Sequence, residues 1–233
     1  MIALRREPVA GERLSRHALA WPAASGWKSL LGQAADTQSR DALSTWQAHA
    51  WPLVVRRAEN PVAAATVALG LPLPPSQGKR RLGFALAAID IEAHAAPPLL
   101  RAVAAGLPSP WDAALRVLDR GARADGRSFR VFGAAMWQSL TGLTYLTATS
   151  DIDLLLPLRT VDDADHGVTL FTRWERATGI RADGELIWPD GGAIAWREWA
   201  GGGTRVLVKH RDHVRLAFRA ELCARLQHAR AVA

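Results

Sequence analysis

FRVFGAAMWQSLTGLTYLTATSDIDLLLPL, residues Phe129 to Leu158 of a 233-residue chain, decides how the rest is read. Its first residues, Phe129-Arg130-Val131-Phe132, are an apolar run that predicts a strand. Gly133 then allows a tight turn. Ala134 to Leu140 predicts a short helix with Ala135, Met136 and Leu140 turned to a core, and Ile152 to Leu158 predicts a second strand. Asp151 and Asp153 stand at the start of that strand, and its period of two puts both carboxylates on one face. Two such groups repel unless a proton or a cation lies between them. Mg²⁺ is the simplest compensation, because it takes carboxylate oxygens together with substrate phosphates. Alone, an Asp-x-Asp pair is a weak signal: Ser150-Asp151 also suits a turn cap, and Asp153 a solvated strand end. A strand, a glycine turn, a helix and then an acidic strand make a stronger one.

That order resembles the nucleotidyltransferase superfamily, of the DNA polymerase beta kind. There, a Gly-Ser turn opens a helix and an Asp-x-Asp strand follows. Read whole, the segment has a closer likeness. Val131-Phe132-Gly133, Trp137-Gln138, Leu140-Thr141-Gly142, Tyr145-Leu146 and Ser150-Asp151-Ile152-Asp153-Leu154-Leu155 are similar to the malonate decarboxylase holo-acyl-carrier-protein synthases. That family is also called the phosphoribosyl-dephospho-CoA transferases. The resemblance implies an α+β fold, with a nucleotidyltransferase-like mixed sheet and flanking helices behind a smaller α/β N-terminal domain. It implies an Mg²⁺-dependent transferase that moves the prosthetic group of triphosphoribosyl-dephospho-CoA to a serine of the apo acyl-carrier subunit of malonate decarboxylase, with diphosphate leaving. On that likeness Asp151 and Asp153 hold the metal, and Asp183 or Glu185 completes the site or takes the serine proton. Gly133, Ala134, Ser150, Arg56, Arg57, Arg80 and Lys209 meet the phosphates. One departure matters: Ala134 stands where the family carries serine. Phosphate there must rely on backbone N–H groups at the helix start.

Composition narrows the partners. The formal charge is +7 and the sequence pI about 10.8, which favours an anionic ligand or an acidic protein. Arginine dominates, and its planar fork suits phosphate, although a GC-rich genome also raises arginine and alanine. Cys223 is the one cysteine, so neither an intrachain disulfide nor a cysteine-built zinc site is expected. The N-terminus lacks the apolar core of a secretory signal, and no stretch approaches eighteen apolar residues. No membrane contact is expected, and a reducing cytoplasm fits.

Outward from the central stretch, residues 1–12 are polar and expected to be loose. A helix is predicted over roughly 37–50, where Leu43, Trp46 and Ala50 recur at helical spacing. Leu53-Val54-Val55 predicts a strand that delivers Arg56-Arg57, which suits either a phosphate clamp or a solvated strand end. Val62 to Leu71 and Leu82 to Leu86 predict strands, with Lys79-Arg80-Arg81 between them. Helices are expected over 99–105 and 111–120, then a loop over 121–128, where the domains divide into 1–124 and 125–233. Acidic Val161 to Asp165 precedes a helix over 166–178, and Asp162, Asp163 and Asp165 compensate its dipole rather than act in catalysis. Ile180 to Trp188 and Ala193 to Trp199 predict a hairpin, with Glu198 as a weaker acidic candidate. Thr204 to Lys209 is expected as the last strand, and Val214 to Ala233 as a helix with Leu216, Ala220 and Leu226 inward. His17 reads as structural, and His210 and His213 as weak metal candidates.

Two other functions fit parts of this pattern. Another nucleotidyltransferase, acting on protein, RNA or a small molecule, would use the same carboxylates. A non-enzymatic nucleic-acid-binding protein would explain the pI alone. No binding motif supports it, and the ten scattered tryptophans suit packing better than a base-stacking track.

Overall fold

The computed structural model describes residues 2, 4–9, 13–57 and 65–232. Expectations for residues 1, 3, 10–12 and 62–64 lie outside that set. The chain divides into two compact units, one of Ala3–Pro97 with Leu143–Tyr145, the other chiefly of Pro98–Gly142 and Leu146–Ala233.

The N-terminal unit runs β1 (Glu7–Pro8), β2 (Leu19–Pro22), α1 (Ala24–Gly32), α2 (Thr37–Ala48), β3 (Leu53–Val55), β4 (Thr66–Pro72), β5 (Arg81–Ala87) and β6 (Ile91–Ala95). Its six strands lie in the order β1-β6-β2-β3-β4-β5, and every pairing is antiparallel. The expected α/β layout is therefore corrected to α+β. Long hairpins such as β4–β5 join neighbouring strands directly and need no helical crossover. Alternation along β5 buries Leu82, Phe84 and Leu86, which join Trp27, Leu30, Leu43, Trp46, Leu53, Leu69 and Leu71 in one core. Asp36 caps α2, accepting from the Ser39 amide at 2.7 Å. Hydrogen bonds from the Ser39 hydroxyl and amide, then from Arg80, hold its carboxyl at about 2. The segment Leu143–Tyr145 belongs to this unit, where the Tyr145 hydroxyl donates to the Pro72 carbonyl at 2.9 Å.

The C-terminal unit runs α3 (Leu100–Ala104), α4 (Trp111–Ala124), β7 (Arg130–Val131), α5 (Gly133–Thr141), β8 (Ile152–Pro157), α6 (Val161–Thr178), β9 (Ala182–Ile187), β10 (Ala193–Ala195), α7 (Trp196–Ala200), β11 (Arg205–Lys209), β12 (Val214–Phe218) and α8 (Arg219–Val232). Its strands form a mixed sheet in the order β12-β11-β10-β9-β8-β7. Only β8–β9 is parallel among these pairings, and α6 supplies the crossover that a parallel pair requires. One sheet face packs on helices. A Cβ on Gly184 would meet Phe171 of α6 and Trp196 of α7, and one on Gly167 of α6 would meet Leu156 and Leu186.

Several boundaries differ from expectation. The unit begins at Pro98, so the division expected at 124/125 falls inside it, between α4 and β7. Helix α4 belongs with the later chain because the Trp174 indole of α6 donates to the Ala114 carbonyl at 2.7 Å. It also extends to Ala124, into the expected loop. Helix α6 starts five residues early, since Thr160 and Asp163 close a capping box around the acidic run. The strand expected over 193–199 stops at Ala195 and becomes α7. Beyond β11, Val214–Phe218 is a further strand, not helix; Leu216 and Ala220 are exposed, and Leu222 and Leu226 face inward.

Candidate active site

The turn from β7 into α5 sets the geometry. Phe132 has extended backbone and donates its amide to the Asp153 carbonyl at 3.1 Å, which ties the turn to β8. Gly133 then takes φ +64°, the left-handed region that favours glycine. Space excludes a side chain as well. A Cβ on Gly133 would collide with the Asp153 carboxylate and stand 2.5 Å from its Cγ. The carboxylate thus lies against the first residue of α5, where helical N–H groups lack intrahelical partners. No side chain caps this helix, and Ala134 beside it is half-buried.

Strand register brings the acids together. In the parallel β8–β9 pair, Asp153 is opposite Asp183 and Leu155 is opposite Glu185, so all four share one face. Asp151 has the same parity, just before β8. This is the face opposite α6 and α7. Asp151 and Asp183 are exposed, Asp153 is half-buried and Glu185 is 6% exposed. Lys209 of β11 places its Nζ 3.8 Å from Glu185 Oε1. The two expected site residues are therefore partners of each other. Of the two acids considered for a third carboxylate, Asp183 is the one in register with Asp153.

Sequence reasoning passed over Arg130. It pairs with Leu155 across β7–β8 and so adds a cation to the acidic face. It is half-buried, and burial lowers its pKa from the usual guanidinium range. The available signal was parity: Arg130 is the lone charged residue in an otherwise apolar run, and the register with β8 is what reveals its face.

The other expected residues lie as follows. Ser150 stands in the turn before β8, its hydroxyl accepting from the Thr147 amide at 2.9 Å. Arg56, Arg57 and Arg80 belong to the N-terminal unit. The Arg56 guanidinium lies over the cross-strand pair Gly70–Gly83 and donates from Nε to the Leu69 carbonyl at 3.3 Å. A Cβ on Gly83 would come within 2.7 Å of it. Arg57 is exposed at the end of β3. Arg80 pairs with Asp36 at 2.9 Å and also donates to Gln38, beside the start of α2. Glu198 accepts from the Leu207 amide at 2.6 Å, joining α7 to β11. His17 adopts φ +69° and donates its amide to the Val55 carbonyl. His210 and His213 stack with ring centroids 4.4 Å apart in the β11–β12 turn.

Chemically, the face offers hard oxygen donors on adjacent strands. Among the described residues no three His, Cys, Asp or Glu side chains form a metal-binding group. Asp153 beside Asp183, with Asp151 along the strand, suits a cation that takes one or two carboxylates and completes its shell with water and phosphate oxygens.

A two-unit α+β chain whose second sheet gathers its acids on one face defines the class, and comparison with known proteins narrows it. Residues 99–220 match the family model of the phosphoribosyl-dephospho-CoA transferase MdcG C-terminal domain, and residues 15–97 that of the N-terminal domain. The chain belongs to the phosphoribosyl-dephospho-CoA transferase family and is a transferase. It is 43% identical over 207 residues to a phosphoribosyl-dephospho-CoA transferase of Xanthomonas euvesicatoria, covering 89% of this chain and 95% of the relative. A protein of the same name from Bradyrhizobium diazoefficiens is 39% identical, with 88% and 90% covered. One from Pseudomonas aeruginosa is 35% identical, with 68% and 74% covered. No solved structure matches.

Proposed function

We propose that this chain transfers the phosphoribosyl-dephospho-CoA group from triphosphoribosyl-dephospho-CoA to a serine of the apo acyl-carrier subunit of malonate decarboxylase. Family membership supports the reaction class. The observation that carries the site is the Asp153 carboxylate, set against Gly133 and in register with Asp183.

In this reading the serine oxygen forms a bond to the donor phosphorus nearest the ribose. The bond from that phosphorus to the bridging oxygen breaks, and diphosphate leaves. Asp151 and Asp153 would hold Mg²⁺, and bound there the ion would supply charge neutralisation for the phosphates and the departing diphosphate. Asp183 stands beside Asp153 and takes the serine proton. Glu185 serves chiefly to fix Lys209, whose ammonium then stands on the reacting face. Gly133, Ala134 and the start of α5 offer backbone N–H groups to phosphate. Arg130 adds a guanidinium at the other edge of the acids. Within the N-terminal unit taken by itself, Arg57 is exposed, whereas Arg80 already neutralises Asp36. We place this polymerase beta-like chemistry in the cytoplasm, where a chain with one cysteine stays reduced. Among the described residues no helix is long and apolar enough to cross a membrane.

The test is intact mass of the apo carrier subunit after incubation with this protein, Mg²⁺ and the donor. A gain equal to the phosphoribosyl-dephospho-CoA group is expected. Asp153→Asn abolishes it with the fold intact. Asp183→Asn slows transfer by about two to four orders of magnitude, the usual worth of a positioned base, and Glu185→Gln slows it less. Transfer by Asp153→Asn at the wild-type rate would overturn the assignment. An adduct formed from a nucleoside triphosphate instead of this donor would redirect the reading to a different nucleotidyltransfer.

A further inference from the structure

The far end of the acidic sheet is built unlike an ordinary sheet edge. β12 is the edge strand. Natural edges are blunted by charge, proline or bulges, because an apolar edge recruits other chains. Here Val214, Leu216 and Phe218 are 39%, 62% and 53% exposed, three of the five large apolar side chains so exposed among the described residues. They alternate along the strand and therefore share a face. Register extends that face across the unit. Phe218 is opposite Arg205, Leu216 opposite Leu207 and Val214 opposite Lys209. Lys209 is opposite Ala193, and Ala195 is opposite Glu185. The apolar strip is thus on the same sheet face as Asp153 and Asp183. Four strand spacings of about 4.8 Å separate β12 from β8, roughly 19 Å in all.

Cations fence the strip. Arg205 lies over the Phe218 ring at 4.6 Å, Lys209, which also meets Glu185 at 3.8 Å, stands at the other end, and Arg211 follows in the turn with Asp212 beside it. Such a rim repels a second copy of a chain that carries +7 and attracts an acidic surface. The donor's pantetheine arm is long, but three apolar side chains inside a cationic rim match a protein surface better than a single flexible arm. The second substrate supplies such a surface, and a globular domain of about 100 residues has a radius of gyration near 13 Å and spans that distance.

We propose that the Val214-Leu216-Phe218 strip, with its Arg205 and Lys209 rim, is the docking surface for the protein acceptor: an acidic carrier domain that presents a short apolar patch near its reactive serine. This rests on the function proposed above. Docking on β11–β12 fixes the carrier on the sheet face that carries the exposed Asp183, within the span its serine must reach.

Leu216→Glu, with Leu216→Ser as a milder second variant, tests it through steady-state transfer and direct binding of the apo carrier subunit. The expected result is a KM for the carrier raised about tenfold or more, as for the loss of a central apolar contact, with kcat and the donor KM unchanged. The unchanged donor KM also reports that the variant is folded. Arg205→Glu raises the carrier KM and flattens its salt dependence. If the wild type transfers and Leu216→Glu leaves the carrier KM unmoved, the docking surface is overturned and the function stands. If the wild type transfers nothing, the function is overturned. Docking then depends on the binding measurement, where no carrier affinity in the wild type, or wild-type affinity in both variants, overturns it. A wild-type dimer that Leu216→Glu dissociates, with the carrier KM unmoved, assigns the strip to a second copy and also overturns the proposal.

Discussion

Gly133 shows how much can depend on one missing side chain. Its left-handed backbone disfavours any L-residue by about 1–2 kcal/mol. The Asp153 carboxylate occupies the volume that a Cβ would need. Gly133→Ala is therefore expected to lower stability by more than the backbone term alone and to displace Asp153. Thermal melts and the transfer assay check both effects, and a stable variant with full activity would contradict the geometry. The need for glycine at this turn was legible in the sequence. The contact with Asp153 was not, because it depends on how α5 sits over β8. Arg130 was hidden for a similar reason: a residue's face follows from its register, and register is set by pairing partners far along the chain.

At the scale of elements, α6 owes its start to Asp163. This carboxylate is 2% exposed and meets the Arg127 Nε at 2.8 Å, the Arg159 amide at 2.8 Å and the Thr160 amide at 3.1 Å. Burial pushes its pKa up, but hydrogen bonds from Arg159 and Thr160 and the charge of Arg127 outweigh that, so the group titrates below its ordinary value. A carboxyl depressed on folding stabilises above its unfolded pKa, near 4, and loses that contribution as pH falls through the folded value. Asp163→Ala should cost about 1–3 kcal/mol at neutral pH, since it removes the cap's charge-assisted hydrogen bonds and leaves Arg127 with Asp125 alone. The gap from wild type should narrow below about pH 4. Urea melts across that range measure it, and a pH-independent gap would refute the account. The reading of Asp163 as helix support agrees with this cap. Elements with strong periodicity were read closely, β8 and α5 to within one residue at each end and β9 to within two. β12 was not: an Ala-, Leu- and Arg-rich tail has helical propensity, and Val-Arg-Leu-Ala-Phe is too short for its alternation to outweigh that. β10 was overextended because the two tryptophans that follow it suit a strand as well as they suit α7.

For the molecule as a whole, composition announced a preference for anions, while the α+β class with its mixed second sheet is what the resemblance implied. The division between units was harder to read. Pro97-Pro98 is a quieter signal than the polar, glycine-bearing stretch after α4, yet α4 is fastened to α6 by the Trp174 indole. The chain also returns once to the first unit, for Leu143–Tyr145 alone. Tyr145 is the single tyrosine in the sequence, it is buried, and burial pushes its phenol above the ordinary value of 10. The protein therefore carries its own optical gauge. The ultraviolet signature of phenolate formation comes from one ring, and it reports whether three residues of the second half are seated against the Pro72 carbonyl. In the intact chain that signal should emerge only in strong alkali. In the isolated stretch 98–233, which lacks Pro72, it should emerge near pH 10. A fragment whose tyrosine ionised as late as that of the whole chain would show that something other than the N-terminal unit shelters it.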